Sequence, residues 1–287
     1  KNDLDNCYNI ELMKNKFLFS ILLLAYIQLN TSQSFIHSQW VWQNPLPQGN
    51  RLYDVKFINP NTGWACGSYG TILKTTNGGN NWDFWQITCD YYLQSIFFIN
   101  ENTGFVCGPI GDMFKSTNGG INFYQVASNT TYFHLYNIIF TDAQNGWAAG
   151  DTGVIMHTTN CGENWVRQTS NVTGDVAGIS FINSNTGYAV EYNFGRIIKT
   201  TNGGTNWNII YWDNYYRYIS VFFLNENTGW LTGAYGLIRK TTNAGLNWIN
   251  ITDPQIDGYV FDIKFLNENT GWVTSGTSFA TYGIMKS

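Results

Sequence analysis

Between residues 52 and 59, in LYDVKFIN, apolar and polar side chains alternate: Val55 and Phe57 interleave with Asp54 and Lys56. A period of two predicts a short strand. PNTG then turns the chain, and WACGS (64–68) reads as a second strand. The glycines of GSYG permit a tight hairpin into a third strand, TILKTT (71–76). NGG follows and supplies the positive φ angles of a second hairpin, so NWDFWQI (81–87) becomes a fourth strand. Outside the apolar run near the N-terminus no segment keeps a long 3.6-residue apolar period, and helix is predicted to be nearly absent.

The same pattern returns. The glycine of NTG, replaced by QNG in the third unit, falls at Gly63, Gly104, Gly146, Gly187, Gly229 and Gly271, at intervals of 41, 42, 41, 42 and 42 residues. The closing aromatic keeps the same beat at Trp82, Phe123, Trp165, Trp207 and Trp248. A fixed period in this range marks a stack or ring of one supersecondary unit. A four-stranded sheet of that length cannot bury both faces alone. Radial packing of several sheets does so and leaves few exposed edges. The predicted fold is therefore all-β: a β-propeller of four-stranded antiparallel blades, with six repeats near 52–92, 93–134, 135–175, 176–217, 218–259 and 260–287. Six or seven blades are both open. QWVWQNPLPQG (39–49) reads as a fourth strand plus link that would complete the last blade; the stop at GIMKS, inside a third strand, favours a continuing sequence with further units or domains.

TTNGGNNW (75–82) resembles the Asp-box of the bacterial neuraminidase repeat, with Thr75 for the Ser, Asn77 for the Asp, then Gly79 and Trp82. The equivalent positions are Asn118, Gly120 and Phe123; Asn160, Gly162 and Trp165; Asn202, Gly204 and Trp207; and Asn243, Gly245 and Trp248. The longer unit, NTGWxxGxxGxIxKTTNGGxxW, is similar to that of the photosystem II stability and assembly factor family of propellers. The resemblance spans about residues 40–287. It implies a propeller with the Asp-box hairpins opposite the functional face. For activity it implies little, because Asp-boxes occur in sialidases, in other glycosidases and in non-enzymatic binding propellers. A thylakoid setting for an assembly-factor role is not evident in the sequence.

Composition narrows the function further. With 44% hydrophobic residues the 287-residue chain can bury a sizeable core. A formal net charge of -4 and no Lys/Arg run argue against nucleic acid. Met13, Lys14 and Lys16 precede the apolar run FLFSILLLAYI (17–27), and small residues follow. That is the pattern of a secretory signal peptide over residues 13–38, with Met13 the start, residues 1–12 upstream and the propeller at 39–287. The run is too short to span a bilayer, which takes about 20 residues, so no integral span is expected after cleavage. Export would allow disulfides at Cys66, Cys89, Cys107 and Cys161, with Cys66 and Cys107 at the same repeat offset. Their favoured role is as small buried hydrophobes. No Cys/His spacing supports a metal site, and no cofactor is expected.

Candidate chemistry lies where the repeats differ. The links from fourth to first strands carry Tyr91, Tyr92, Tyr132, Phe133, His134, Trp212, Tyr215, Tyr216 and Arg217. The turns between second and third strands add Tyr69, Asp112, Asp151, Glu191, Tyr192, Phe194, Arg196 and Tyr235. Flat aromatic faces beside a few polar groups suit sugar rings or extended peptides. A sialidase-like site would need an arginine cluster, and the arginines at 51, 167, 196, 217 and 239 are dispersed. Asp54 and Asp262, in DVKF and DIKF, are the nearest approach to a glycosidase carboxylate pair, yet they share one repeat slot. His37, His134 and His157 are too scattered for a triad. The expectation is an exported, non-enzymatic propeller that binds a glycan or a protein, with a secreted Asp-box glycoside hydrolase and a membrane-complex docking factor as alternatives.

Overall fold

A computed structural model describes residues 49–89, 91–126, 133–254, 256, 258–276 and 282–286, all within one compact unit, Asn44–Ser287. The predicted signal segment, the 39–48 strand and link, His37 and Tyr132 lie outside the described residues.

Six antiparallel sheets follow one another along the chain. The first holds β1 (Leu52–Phe57), β2 (Gly63–Gly67), β3 (Thr71–Thr75) and β4 (Asp83–Gln86). The second holds β5 (Ser95–Phe98), β6 (Gly104–Cys107), β7 (Met113–Ser116) and β8 (Tyr124–Gln125). The third is β9 (Leu135–Phe140), β10 (Gly146–Gly150), β11 (Ile155–Thr158) and β12 (Val166–Gln168). The fourth is β13 (Val176–Phe181), β14 (Gly187–Glu191), β15 (Arg196–Thr200) and β16 (Asn208–Trp212). The fifth is β17 (Tyr218–Phe223), β18 (Gly229–Gly233), β19 (Ile238–Thr241) and β20 (Ile249–Asn250). In the sixth, β21 (Tyr259–Asn267), β22 (Thr270–Gly276) and β23 (Tyr282–Lys286) make three strands among the described residues. Each sheet is a meander in sequence order, as the hairpin signals require.

Sheets pack through one repeated device. The aromatic that opens the second strand stacks on a phenylalanine from the first strand of the next sheet: Trp64 on Phe98 at 3.7 Å, Phe105 on Phe140 at 4.4 Å, Trp147 on Phe181 at 3.7 Å, Tyr188 on Phe223 at 3.6 Å and Trp230 on Phe265 at 3.8 Å. Each phenylalanine lies flat across the NTG-slot glycine of its own sheet. A Cβ on Gly104 would stand 2.4 Å from the Phe98 ring, which is why that slot excludes every side chain. Indole N–H groups then tie neighbours together, Trp64 to the Gly119 carbonyl at 2.9 Å and Trp147 to the Gly203 carbonyl at 3.1 Å. The Asp-box asparagines act as acceptors inside each hairpin. Asn77 Oδ1 takes the Thr75 hydroxyl (3.0 Å) and the Asn81 N–H (2.9 Å), and the pattern recurs at Asn118, Asn160, Asn202 and Asn243.

The first sheet differs from those that follow in one respect. The alternating Val55 and Phe57 of β1 are 56% and 40% exposed, whereas the equivalent Ile96 and Phe98 are each 2% exposed. Among the described residues no preceding sheet stacks on Phe57, so its outer side lacks the cover that the others have. Cys66, Cys107 and Cys161 are free thiols; Cys66 and Cys107 are buried, as small hydrophobes would be, and Cys89 and Cys161 are half-buried. No helix of the described residues is long and apolar enough to cross a membrane.

Candidate functional site

The links and turns that vary between repeats share one face, because backbone bonds stitch them together. The turn after the second strand donates back to the residue that opens the first strand: Ser68 N–H to Arg51 O at 2.8 Å, Asp151 N–H to His134 O at 3.0 Å, Tyr192 N–H to Asp175 O at 2.8 Å and Ala234 N–H to Arg217 O at 3.0 Å. The Asp-box hairpins bond instead to the first-to-second-strand turns, as Gly78 N–H to Asn61 O at 2.9 Å shows. The copied residues and the variable residues are thus on opposite faces.

On the variable face the aromatic residues form two groups. Around sheets one to three, Tyr53 and Tyr92 lie 5.4 Å apart, and the Tyr92 hydroxyl pairs with His134 Nδ1 at 3.1 Å. Tyr136 donates to Asp151, and burial together with that carboxylate raises its pKa. Tyr91 is exposed; Phe133 is half-buried beneath the Arg167 guanidinium at 5.7 Å. Tyr69 stands apart at a hairpin tip, 61% exposed.

The second group spans sheets four and five. Arg196 lies between the Phe194 ring (5.0 Å) and the Trp212 ring (5.2 Å) and pairs with Glu191 at 3.4 Å. Glu191 is fully buried in a slot that is Gly67, Gly108, Gly150 and Gly233 elsewhere, and its other oxygen accepts the Gly174 N–H at 2.5 Å. Next to it, the link 212–217 presents Trp212 at 56% and Tyr215 at 75% exposure, with Tyr216 set edge-on to Tyr215 at 4.8 Å. The exposed Arg217 sits 5.5 Å from the Tyr192 ring and within electrostatic range of Tyr235 and Tyr259. The structure therefore brings together Tyr192, Arg196, Trp212, Tyr215, Tyr216, Arg217 and Tyr235. Sequence reasoning missed Tyr53, Tyr136, Tyr211, Asp213, Tyr218, Tyr259 and Arg239, which frame or line these groups. Arg239 and Tyr218 carried a readable signal, since each breaks a slot that is apolar in other units.

Asp54 and Asp262 are structural neighbours as well as repeat equivalents. Asp54 Oδ2 accepts from Ser95 Oγ at 2.8 Å and Ile96 N–H at 2.9 Å; Asp262 Oδ1 accepts from Ser220 Oγ at 2.8 Å. Burial raises the Asp54 pKa and the Asp262 charge adds to it. Both carboxylates join first strands of adjacent sheets. Among the described residues no cluster of three or more metal-ligating side chains forms.

A series of four-stranded meanders joined by stacked aromatics, with conserved-geometry Asp-box hairpins on one face and variable links on the other, defines a β-propeller built from neuraminidase-type repeats. The sequence profile described as photosynthesis system II assembly factor YCF48 matches residues 33–131, 85–214 and 167–282. The chain belongs to that family. Among solved structures it is similar to YCF48 bound to D1 peptide (19% identity, 80% of this chain and 92% of that one, TM-score 0.50) and to YCF48 from Cyanidioschyzon merolae (17%, 84% and 96%, TM-score 0.54). It is also similar to an ancestral GH74 enzyme (21%, 86% of this chain but 38% of that one, TM-score 0.70). At such identities these likenesses speak for the fold alone. No curated protein matches the chain by sequence.

Proposed function

We propose that this propeller is an exported, non-enzymatic binding module that receives an extended segment of a partner protein on its variable face, centred on residues 191–217. The observation that carries the reading is the concentration of departures from the repeat. Glu191, Arg196, Trp212 and Tyr215 depart from the repeat and fall in one sector with Arg217, on the face away from the copied hairpins, and Trp212, Tyr215 and Arg217 are open to solvent. Exposed aromatics are suited to anchoring a partner in this way. Two arginines of the sector are neutralised internally, Arg196 by Glu191 and Arg239 by Asp213. Arg217 has tyrosines around it and suits a carboxylate of the segment. A family member solved with a bound peptide supports the ligand class. The charged, apolar and small-residue order of residues 13–38 supports export.

The test is to probe fluorescein-labelled random dodecamer peptides and a glycan array side by side with the purified protein. Peptide binding is expected, and Tyr215→Ala combined with Tyr216→Ala should abolish it while the thermal midpoint holds within a few degrees. Binding unchanged by the double substitution would move the site elsewhere. Binding to glycans alone would replace the protein reading by a lectin-like one, and release of sugar product would replace it by a hydrolase. Fractionation of cells producing the full chain tests export, with accumulation in the cytoplasm as the opposing result.

A further inference from the structure

Arg239 occupies a slot that is apolar in the four preceding units: Leu73, Phe114, Met156 and Ile198. It is 8% exposed, deep between sheets four and five. Its guanidinium makes three hydrogen bonds there. Nη1 donates to the Tyr211 hydroxyl at 3.2 Å and the Tyr218 hydroxyl at 3.0 Å, and Nη2 donates to Asp213 Oδ2 at 2.9 Å. The Tyr216 ring lies 4.7 Å from the same group. Tyr218 is itself a departure, because its slot is Leu93, Leu135, Val176 and Val260 in other units. The remaining oxygen of Asp213 accepts the Tyr215 N–H at 3.0 Å. Each of these guanidinium contacts thus leads into the link 212–217 or to its two flanks.

Fold stability does not call for this arrangement. Replacing a buried ion pair by well-packed apolar residues is often neutral or stabilising, since desolvation offsets much of the attraction. Four sister units keep the apolar choice and form the same sheet. The start of the link is already held by Trp212 Nε1 on Phe194 O and Asp213 N–H on Gly195 O, each at 3.0 Å; what the polar set adds is a second anchor that reaches across from the fifth sheet. A planar guanidinium engaged at three points holds its partners in one arrangement.

We propose that the Asp213–Arg239 pair, completed by Tyr211 and Tyr218, is a positioning device that preorganises the link 212–217 for its ligand. This rests on the reading of that link as the binding surface. Holding Trp212, Tyr215 and Arg217 in place before encounter removes part of the ordering cost of binding.

The test is the triple variant Asp213→Asn, Tyr218→Leu, Arg239→Met, which restores apolar residues of the sister units at two positions and keeps the amide oxygen that Tyr215 N–H needs. Three quantities are measured: the thermal midpoint, hydrogen exchange of amides 213–217, and affinity for a dodecamer peptide selected on the wild-type protein. The expected result is an unchanged or higher midpoint, exchange in the link faster by about tenfold, and affinity weaker by about tenfold. A link as protected as in the wild type overturns the device, whatever happens to affinity. Faster exchange with undiminished affinity overturns the link as the ligand site, and with it the purpose assigned to the pair. Should the triple variant fold poorly, Arg239→Lys retains the charge without the three-point geometry: it should also accelerate link exchange at a steady midpoint, and wild-type protection would again refute the device.

Discussion

At the scale of single residues, the hairpin tips of the variable face show where local preference was overridden. Tyr69 and Tyr235 have φ of 55° and 61°, each followed by a glycine with positive φ, Gly70 and Gly236. Two consecutive left-handed residues are the geometry of a type I′ turn, which favours Asn or Gly at its first position. A tyrosine there carries a cost of about 1 kcal/mol and, at 61% and 71% exposure, recovers little of it by packing. Tyr235→Asn should therefore raise stability by roughly 0.5–1 kcal/mol, read as a higher urea midpoint at constant slope. A lowered midpoint would show that the ring packs more than its exposure suggests. Affinity for a peptide on this face should fall in the same variant, because Tyr235 stands beside Arg217.

At the scale of the element, the blade was legible because it is copied. Strand alternation, Asn-x-Gly hairpins and the Asp-box asparagines recur in unit after unit, and each has a local cause that needs no partner sheet. What was not legible depends on packing between units. Asp213 and Arg239 are 26 residues apart and meet only because the fourth and fifth sheets face each other. Val55 and Phe57 carried the right alternation, but whether a neighbour covers them is not written in β1. The copied stack also yields a quantitative contrast. Trp147 stacks on Phe181, lies over His157 at 4.6 Å and donates to Gly203 O. Trp147→Ala should cost about 3–5 kcal/mol. Trp147→Phe should cost only about 1 kcal/mol, because Phe105 fills the same slot one unit earlier and Gln168 Nε2 also reaches Gly203 O, at 2.8 Å. Paired urea titrations decide this; equal losses for the two variants would mean the indole bond, rather than the stack, holds the sheets together.

At the scale of the whole molecule, the inner strands relate the first sheet to the last. Side chains in one slot of the first strands bond to a neighbouring sheet: Ser95 to Asp54, Asn137 Nδ2 to Ala177 O at 2.6 Å, and Ser220 to Asp262, while β13 of the fourth sheet has Gly178 there. Asp54 and Asp262 feel each other's charge, as do Lys56 and Lys264, so the first and sixth inner strands are near one another. Like charges face each other at that seam, while neutral groups occupy the equivalent slot in the sheets between. Burial, the larger effect, and Asp262 raise the Asp54 pKa above its unfolded value. A carboxyl shifted in that direction contributes stability that is complete below its unfolded pKa and is lost as pH rises through the folded one. The wild type should thus lose stability relative to Asp54→Asn between acid and neutral pH, measured by urea unfolding of both proteins across that range. Asp262→Asn should move the transition to lower pH by removing the opposing charge. A wild-type advantage that instead grows with pH would show Asp54 held ionised by Ser95 and Ile96, and the seam would then be a hydrogen-bonded joint like the others rather than a point of repulsion.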